Sequence, residues 1–456
     1  MEPLILEPEF VLDFDAKVHS GPIVIRQGLV ESIGQEPILG NRIKLKNQVI
    51  MPGFVNCHSH AFQRVLRGMV EKKTASVDHF FNWRNVMYTL AQKISADDLE
   101  ILASLAYLEM LEAGFTHVGE FHYLHHDFLG IHFKNRIVMG QKLAKAAHGV
   151  GINQCLLYCA YHRSDFKSSI RQDQRRFLSQ SCEEFIALLR EAQHQPQQPS
   201  TTIGAAIHSV RAVPQDWFAP IHEYASNHNM PLHVHASEQT QDVASCLENT
   251  GHSPISLLNQ YGLITPQTTL VHATHLIKDD LAILHHRKPS LCLCPSTEKN
   301  LGDGMPLAGD LFVHNPFLCI GTDQHVRIDP FDEARSIEEN DRLRLMKRGI
   351  LGRNESYLYQ TLMPFLQKNG LRSLYPASQA KLIGGPANLV VLELPPEYEW
   401  HGPHQALDAI MLAHNTHHVA HVITNGDFVV HNKEAQYGEK NYLIKNIKKI
   451  ISKIFS

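Results

Sequence analysis

From residue 49 onward, short apolar runs alternate with longer segments whose apolar residues recur at helical spacing. The runs lie at 49–57, 116–121, 153–160, 202–207, 231–234, 269–271, 290–293 and 317–320. Between them, segments such as 96–112 place Leu99, Leu102, Ala103, Ala106 and Met110 on one helical face. Strand and helix alternating eight times point to a closed parallel (β/α)8 barrel, an α/β fold of the TIM type, rather than an open sheet. The flanks read differently. Residues 1–50 alternate short apolar pieces with turns, and 387–392 and 421–430 look like strands, the second carrying an Asn425-Gly426 hairpin turn. We expect one small β-sandwich assembled from both chain ends, as 1–50 and 387–456, flanking a barrel over 51–386. The last stretch, 442–455, sets Ile444, Ile447, Ile450, Ile451 and Ile454 on one face with lysines opposite. That pattern predicts a docked terminal helix rather than one lying on a membrane.

Each barrel run ends in polar or titratable residues: His58 and His60, Glu120 and His122, Tyr161 and His162, His208 and Arg211, His235 and Glu238, His272 and His275, Ser296 to Glu298, and Asp323 and His325. Strand ends are often polar because loops are. Eight in succession, dominated by histidine, mark the C-terminal rim where this fold builds active sites.

Composition narrows the options. A formal charge of −4 with 43% hydrophobic and 19% charged residues gives no basis for a nucleic-acid partner. No run of about 18 apolar residues is present, so no membrane partner is expected, and the N-terminus does not resemble a secretory signal. The eight cysteines form no CxxC pair, which suits reduced core thiols and a cytoplasmic location.

The chemistry concentrates at His58-Ser59-His60. In a strand, residues i and i+2 point the same way, so both imidazoles enter the barrel mouth together. Neutral imidazoles suit zinc. An H-x-H is weak evidence alone, but this one follows Met51-Pro52-Gly53-Phe54 at a strand end. A third ligand is offered by His233 or His235, which share a strand face; periodicity does not choose between them, and His235 lies nearer the rim. Asp323, after the last strand, closes the ring beside the first. Three histidines, one aspartate and a water describe a catalytic zinc with an open position. No lysine follows a strand where a second metal would need a bridging side chain, so one Zn2+ per chain is expected. Glu238 is placed to move protons to a reacting nitrogen, and His272 to hydrogen-bond at the attacked carbon. Glu238, His272 and Asp323 are thus the catalytic candidates, for hydrolysis of a carbon–nitrogen bond.

Together these residues resemble the amidohydrolase superfamily in its one-metal subtype, with H-x-H on the first strand, a histidine followed by H-x-x-E on the fifth, a histidine on the sixth and an aspartate on the eighth. Within it, the chain is similar to the deiminases of formimino amino acids. The likeness rests on His58-Ser59-His60-Ala61-Phe62-Gln63-Arg64, Trp83-Arg84 with Met87-Tyr88, 120–126, His208-Ser209-Val210-Arg211-Ala212-Val213, 270–275, 296–304 and 321–326. The resemblance implies hydrolysis of N-formimino-L-glutamate to N-formyl-L-glutamate and ammonia, a step in histidine degradation, with zinc as the metal. It also implies Gln63, Arg84, Tyr123, His208 and Arg211 as substrate residues. A dicarboxylate calls for arginine forks and a phenol as donors, which agrees. Neither Arg84 nor Arg211 has an acidic residue three or four positions away, so both charges are expected to wait for an anionic ligand. The chain departs from the family near its end, where Asn388 stands in place of the usual aspartate before Leu389-Val390-Val391-Leu392. A homodimer is allowed by this reading but not specified by it. Two other readings compete. A purine or pyrimidine ring deaminase would use the same metal residues in a flatter, more apolar pocket. A barrel scaffold without catalysis would have no use for a costly cluster of inward polar groups.

Overall fold

The computed structural model describes all residues except 1, 36–38, 72–78, 196–197, 316, 353–354 and 456. Eight parallel strands, β1 (Phe54–Ser59), β2 (Phe115–His122), β3 (Asn153–Ala160), β4 (Thr201–Ser209), β5 (Leu232–Ala236), β6 (Thr268–His272), β7 (Ser290–Leu293) and β8 (Leu318–Ile320), pair in sequence order. Each is followed by at least one helix on the outside, from Ala96–Glu112 after β1 to Pro330–Leu345 after β8. Ser95 starts the first of these with a capping box: its side chain accepts from Asp98 N while Asp98 takes the Ser95 N–H.

The strands are buried almost throughout, as a parallel sheet covered by helices requires. Closure is achieved at one place. β8 and β1 meet through a single bridge, Ser59 to Asp323, in which Asp323 N donates to His58 O and His60 N donates to Asp323 O, each at 3.0 Å. Gly321 makes this approach feasible, because a Cβ there would lie 2.7 Å from the His58 Cβ. The opposite end is plugged by the helix Lys368–Leu374, whose Ser373 carbonyl accepts from His233 Nε2 at 3.1 Å.

The run read as one strand at 49–57 divides at Gly53. Asn41–Pro52 belongs to a second sheet, and only Phe54 onward enters the barrel. A Cβ on Gly53 would sit 2.2 Å from the Thr116 side chain, so the chain passes between the two sheets only without one. The second sheet has nine strands drawn from both chain ends, joined where Leu389–Glu393 pairs antiparallel with Asn41–Pro52. Its edge folds back on itself through Val30 N to Gly385 O and Ala387 N to Gly28 O, enclosing a separate core of Leu6, Ile23, Val30, Ile50, Leu389 and Ile423. This is the expected sandwich, with Asn425 and Gly426 both at positive φ in its hairpin turn. Asn388 ties sandwich to barrel, its Oδ1 accepting from Asn425 N and Asn153 Nδ2.

Two further features differ from the sequence reading. Residues 397–401 and 403–413 are helical and interrupt the sandwich strands. The terminal helix, Lys440–Phe455, does dock on the barrel, but Leu443, Ile450 and Ile454 form its buried stripe and Ile444 is exposed. Lys440 and Lys453 reach Glu112 and Asp98 on the Ala96–Glu112 helix. Among the described residues no helix is long and apolar enough to cross a membrane.

Burial holds several histidines neutral: His117, His233, His414 and His421 are lowered to about 4 and His125 to about 3. Unfolded, each would titrate near 6.5, so unfolding takes up protons below that value. Their contribution is complete above pH 6.5 and is lost as pH falls toward 4. We expect the urea midpoint to drop between about pH 7 and about pH 5, with proton uptake on unfolding; a level midpoint across that range would contradict this assignment.

Candidate metal centre

β1 delivers His58 and His60 to the mouth, β5 delivers His235, and the turn after β8 delivers Asp323. His58, His235 and His60 Nε2 atoms converge: His58 and His235 are 3.1 Å apart, and Asp323 Oδ1 is 3.3 Å from His58 and 3.4 Å from His60. His60 Nδ1 donates to Phe121 O at 3.1 Å and His235 Nδ1 to His208 O at 2.8 Å. With those ring protons committed to carbonyls, both Nε2 lone pairs face inward, the tautomer a metal requires. Burial pushes His58 and His60 well below the usual histidine range and His235 down to about 3, so all three stay neutral.

These spacings fit an ion. Two nitrogens held about 2.0–2.1 Å from one zinc at near-tetrahedral angles lie about 3.1–3.4 Å from each other. The donor set of three imidazoles and one carboxylate is also that of a zinc site. His233 shares the face of His235 but sits one layer deeper, with its Nε2 on Ser373 O, whereas His235 faces His58 and His60.

The rim is built from backbone that few side chains adopt. Ser237, His272, Ala273, Asp323 and His325 all have positive φ, from 45° to 74°. Strain of about 1–3 kcal/mol at each such position persists only where surrounding contacts over-determine it. Here His325 supplies them after β8: its Nδ1 pairs with Thr322 Oγ1 at 2.7 Å and its Nε2 with Ser59 Oγ at 3.0 Å. Ser59 in turn donates to Glu120 at 2.5 Å.

The candidate catalytic groups lie beside the centre. His272 is buried, stacks on His235 with ring centres 5.6 Å apart, and has Glu238 3.7 Å from its Nε2 and Glu298 3.5 Å from its Nδ1. Burial opposes charge on His272, but Glu238 and Glu298 raise it well above the usual range. Burial pushes Glu238 up to about 8. The pair therefore keeps a proton between them at neutral pH.

The substrate candidates occupy the other side. Tyr123 and His208 rings lie 5.1 Å from His60 and His235 respectively, and Gln63 Nε2 donates to Tyr123 Oη at 2.8 Å. The helix His79–Lys93 covers them: Met87 Sδ accepts from Tyr123 Oη at 4.0 Å, and Arg84 is half-buried one turn earlier. Arg211 lines a small cavity with His208, His235 and Glu238, but its charge does not wait for a ligand. Asp242, 31 residues away, accepts from its Nε at 3.1 Å, and Ser164 O accepts from Nη1 at 3.1 Å.

The sequence reading missed Asp242 because an acid in the first turn of a helix, Thr240–Thr250, looks like a cap, and its Oδ2 does accept from Gln239 N. It gave Glu298 no role although the residue ends the seventh run's polar cluster. Glu298 is 2% exposed and accepts from Cys294 N at 2.9 Å while facing His272. Cys294 and Asp303 were likewise unassigned.

Neutral imidazoles and a carboxylate converging at the C-terminal rim of a (β/α)8 barrel define a metal-dependent hydrolase. The chain belongs to the amidohydrolase family, whose pattern it matches over residues 49–429. It is similar to formimidoylglutamate deiminase of Pseudomonas aeruginosa, 33% identical over 347 residues, covering 75% of this chain and 76% of that one. Among solved structures it superposes on an amidohydrolase from Brucella melitensis with a TM-score of 0.89, 28% identity and full coverage of both chains. An adenosine deaminase from Xanthomonas campestris with bound zinc shares the fold, with a TM-score of 0.81, 21% identity and 99% and 98% coverage.

Proposed function

We propose that this enzyme hydrolyses N-formimino-L-glutamate to N-formyl-L-glutamate and ammonia, a step of histidine degradation, using one zinc ion per chain held by His58, His60, His235 and Asp323. The observation that carries this reading is the polarity of the site. Glu238 and Glu298 flank His272, with Asp303 near enough to feel its charge, while Tyr123, held by Gln63, and Arg211, held by Asp242, lie by His208 in a cavity that Glu238 also lines. A formimino group is cationic and the rest of the substrate is a dicarboxylate, so each end meets its complement. The similarity to the Pseudomonas enzyme supports the same choice. A ring deaminase is the second reading, favoured by the aromatic cluster of Tyr123, Tyr161 and Phe177. A flat neutral ring leaves the acids around His272 without a cationic group to meet.

The reaction replaces C=NH by C=O: the oxygen of water joins the formimino carbon, and both its protons depart on nitrogen as ammonia. Held by His58, His60, His235 and Asp323, a divalent ion would lower the pKa of water to about 7 and so make hydroxide available at neutral pH. Glu238 holds a proton near neutrality and gives it to the departing nitrogen. His272, which shares that one proton with Glu238, lies beside the centre to hydrogen-bond the oxygen at the attacked carbon. Tyr123, fixed by Gln63, and Arg211, fixed by Asp242, orient the carboxylates, with Arg84 closing from the covering helix.

Glu238→Gln is expected to keep its zinc and lose kcat by on the order of 10²-fold. Zinc loss in that variant would make Glu238 a ligand instead. Arg211→Met should retain fold and metal but lose kcat/KM by on the order of 10² or more for the dicarboxylate, and far less for a substrate lacking the carboxylate it binds. Crossing the protein change with removal of each carboxylate decides the point: losses that simply add would mean Arg211 touches neither.

A further inference from the structure

The site holds more buried ligand atoms than its first ion uses. His272, Cys294 and Asp323 each offer one atom, all three residues are buried, and these atoms lie within 4.8 Å of one another. The surroundings are acidic. Among the described residues the ion-pair partners of Glu238, Glu298 and Asp323 are all histidines. His272 Nδ1, Glu298 Oε2 and Asp303 Oδ2 are buried with no hydrogen-bond partner among the described residues. Gly321 leaves room beside the thiol, since a Cβ there would stand 3.1 Å from Cys294 Sγ. Cys294 itself is fixed by its N–H on Glu298 Oε1 and by the helix Pro295–Leu301 that follows.

We propose that His272, Cys294 and Asp323 form a second, weaker site for a thiophilic divalent cation, sharing Asp323 with the first centre, and that filling it inhibits the enzyme. Imidazole, thiolate and carboxylate select zinc or cobalt(II) over magnesium or calcium. Two ions sharing a carboxylate can stand about 3.5–4 Å apart. Binding replaces the Cys294 S–H proton by the metal and releases that proton to solvent; no electron is transferred. The cation offsets the surplus of carboxylates around His272 and takes the imidazole away from substrate. The inference rests on the first site holding its own ion, but not on which substrate the enzyme uses.

Cobalt(II) titrated into the one-zinc enzyme tests it, because the resident zinc is spectroscopically silent. A near-ultraviolet thiolate-to-cobalt band should grow and saturate at about one cobalt per chain. It should vanish in Cys294→Ser and Cys294→Ala and persist in Cys319→Ser, while ammonia release by the parent falls as the band rises. Absence of the band at excess cobalt, or its survival undiminished in Cys294→Ser, overturns the site. Unchanged ammonia release with the band saturated overturns its inhibitory role.

Discussion

Two backbone hydrogen bonds, Asp323 N to His58 O and His60 N to Asp323 O, join the last barrel strand to the first. The other seven strand pairs are ladders of several residues, two of them with register shifts, whereas among the described residues this seam is a single bridge, Ser59 to Asp323, whose hydrogen bonds run between proposed metal ligands. Closing the barrel and assembling the centre are therefore one event. The positive φ at Asp323 and His325, the absent side chain at Gly321, and the Ser59–His325–Thr322 chain of hydrogen bonds serve the same seam. An ion held by residues of both strands would add a clamp across this joint and would link metal affinity to barrel stability.

The seam also orders the chemistry around it. With His58, His60 and His235 neutral and converging on one point, the remaining polar groups cluster around His272 and His208, with Glu238 reaching both. Glu238, Glu298 and Asp303 gather by His272, and Gln63, Tyr123 and Arg211 by His208. Substrate choice in this account follows from that division rather than from any single contact, since an ion pair such as Arg211–Asp242 recognises an anion only in a pocket that already orients it.

Much of this was legible in the sequence because strands are short, apolar and end at the rim, so the period of the pattern reports both fold and site. His58 and His60 share a strand face as the alternation puts them, and Asp323 and Glu238 follow the ends of β8 and β5. His233 and His235 could not be separated because a period of two places both on one face, and only depth within the barrel distinguishes them. The run at 49–57 hid a change of sheet, since a glycine hinge leaves hydrophobicity unbroken. The Arg211 partner was hidden because Asp242 comes from the helix after the next strand, beyond any local spacing rule. Ile444 was misplaced because a stripe wide enough for five isoleucines has two edges, and the one that packs is chosen by the Ala96–Glu112 helix.

The central claim is that a metal at the seam and a polarised pocket turn a formimino dicarboxylate into its formyl counterpart. Incubating purified zinc-loaded protein with N-formimino-L-glutamate, and quantifying ammonia and N-formyl-L-glutamate, tests it most directly. The account predicts equimolar release of both products, abolished by chelation and restored by zinc. Failure to release either product, with turnover instead of a purine nucleoside by the same preparation, would contradict it.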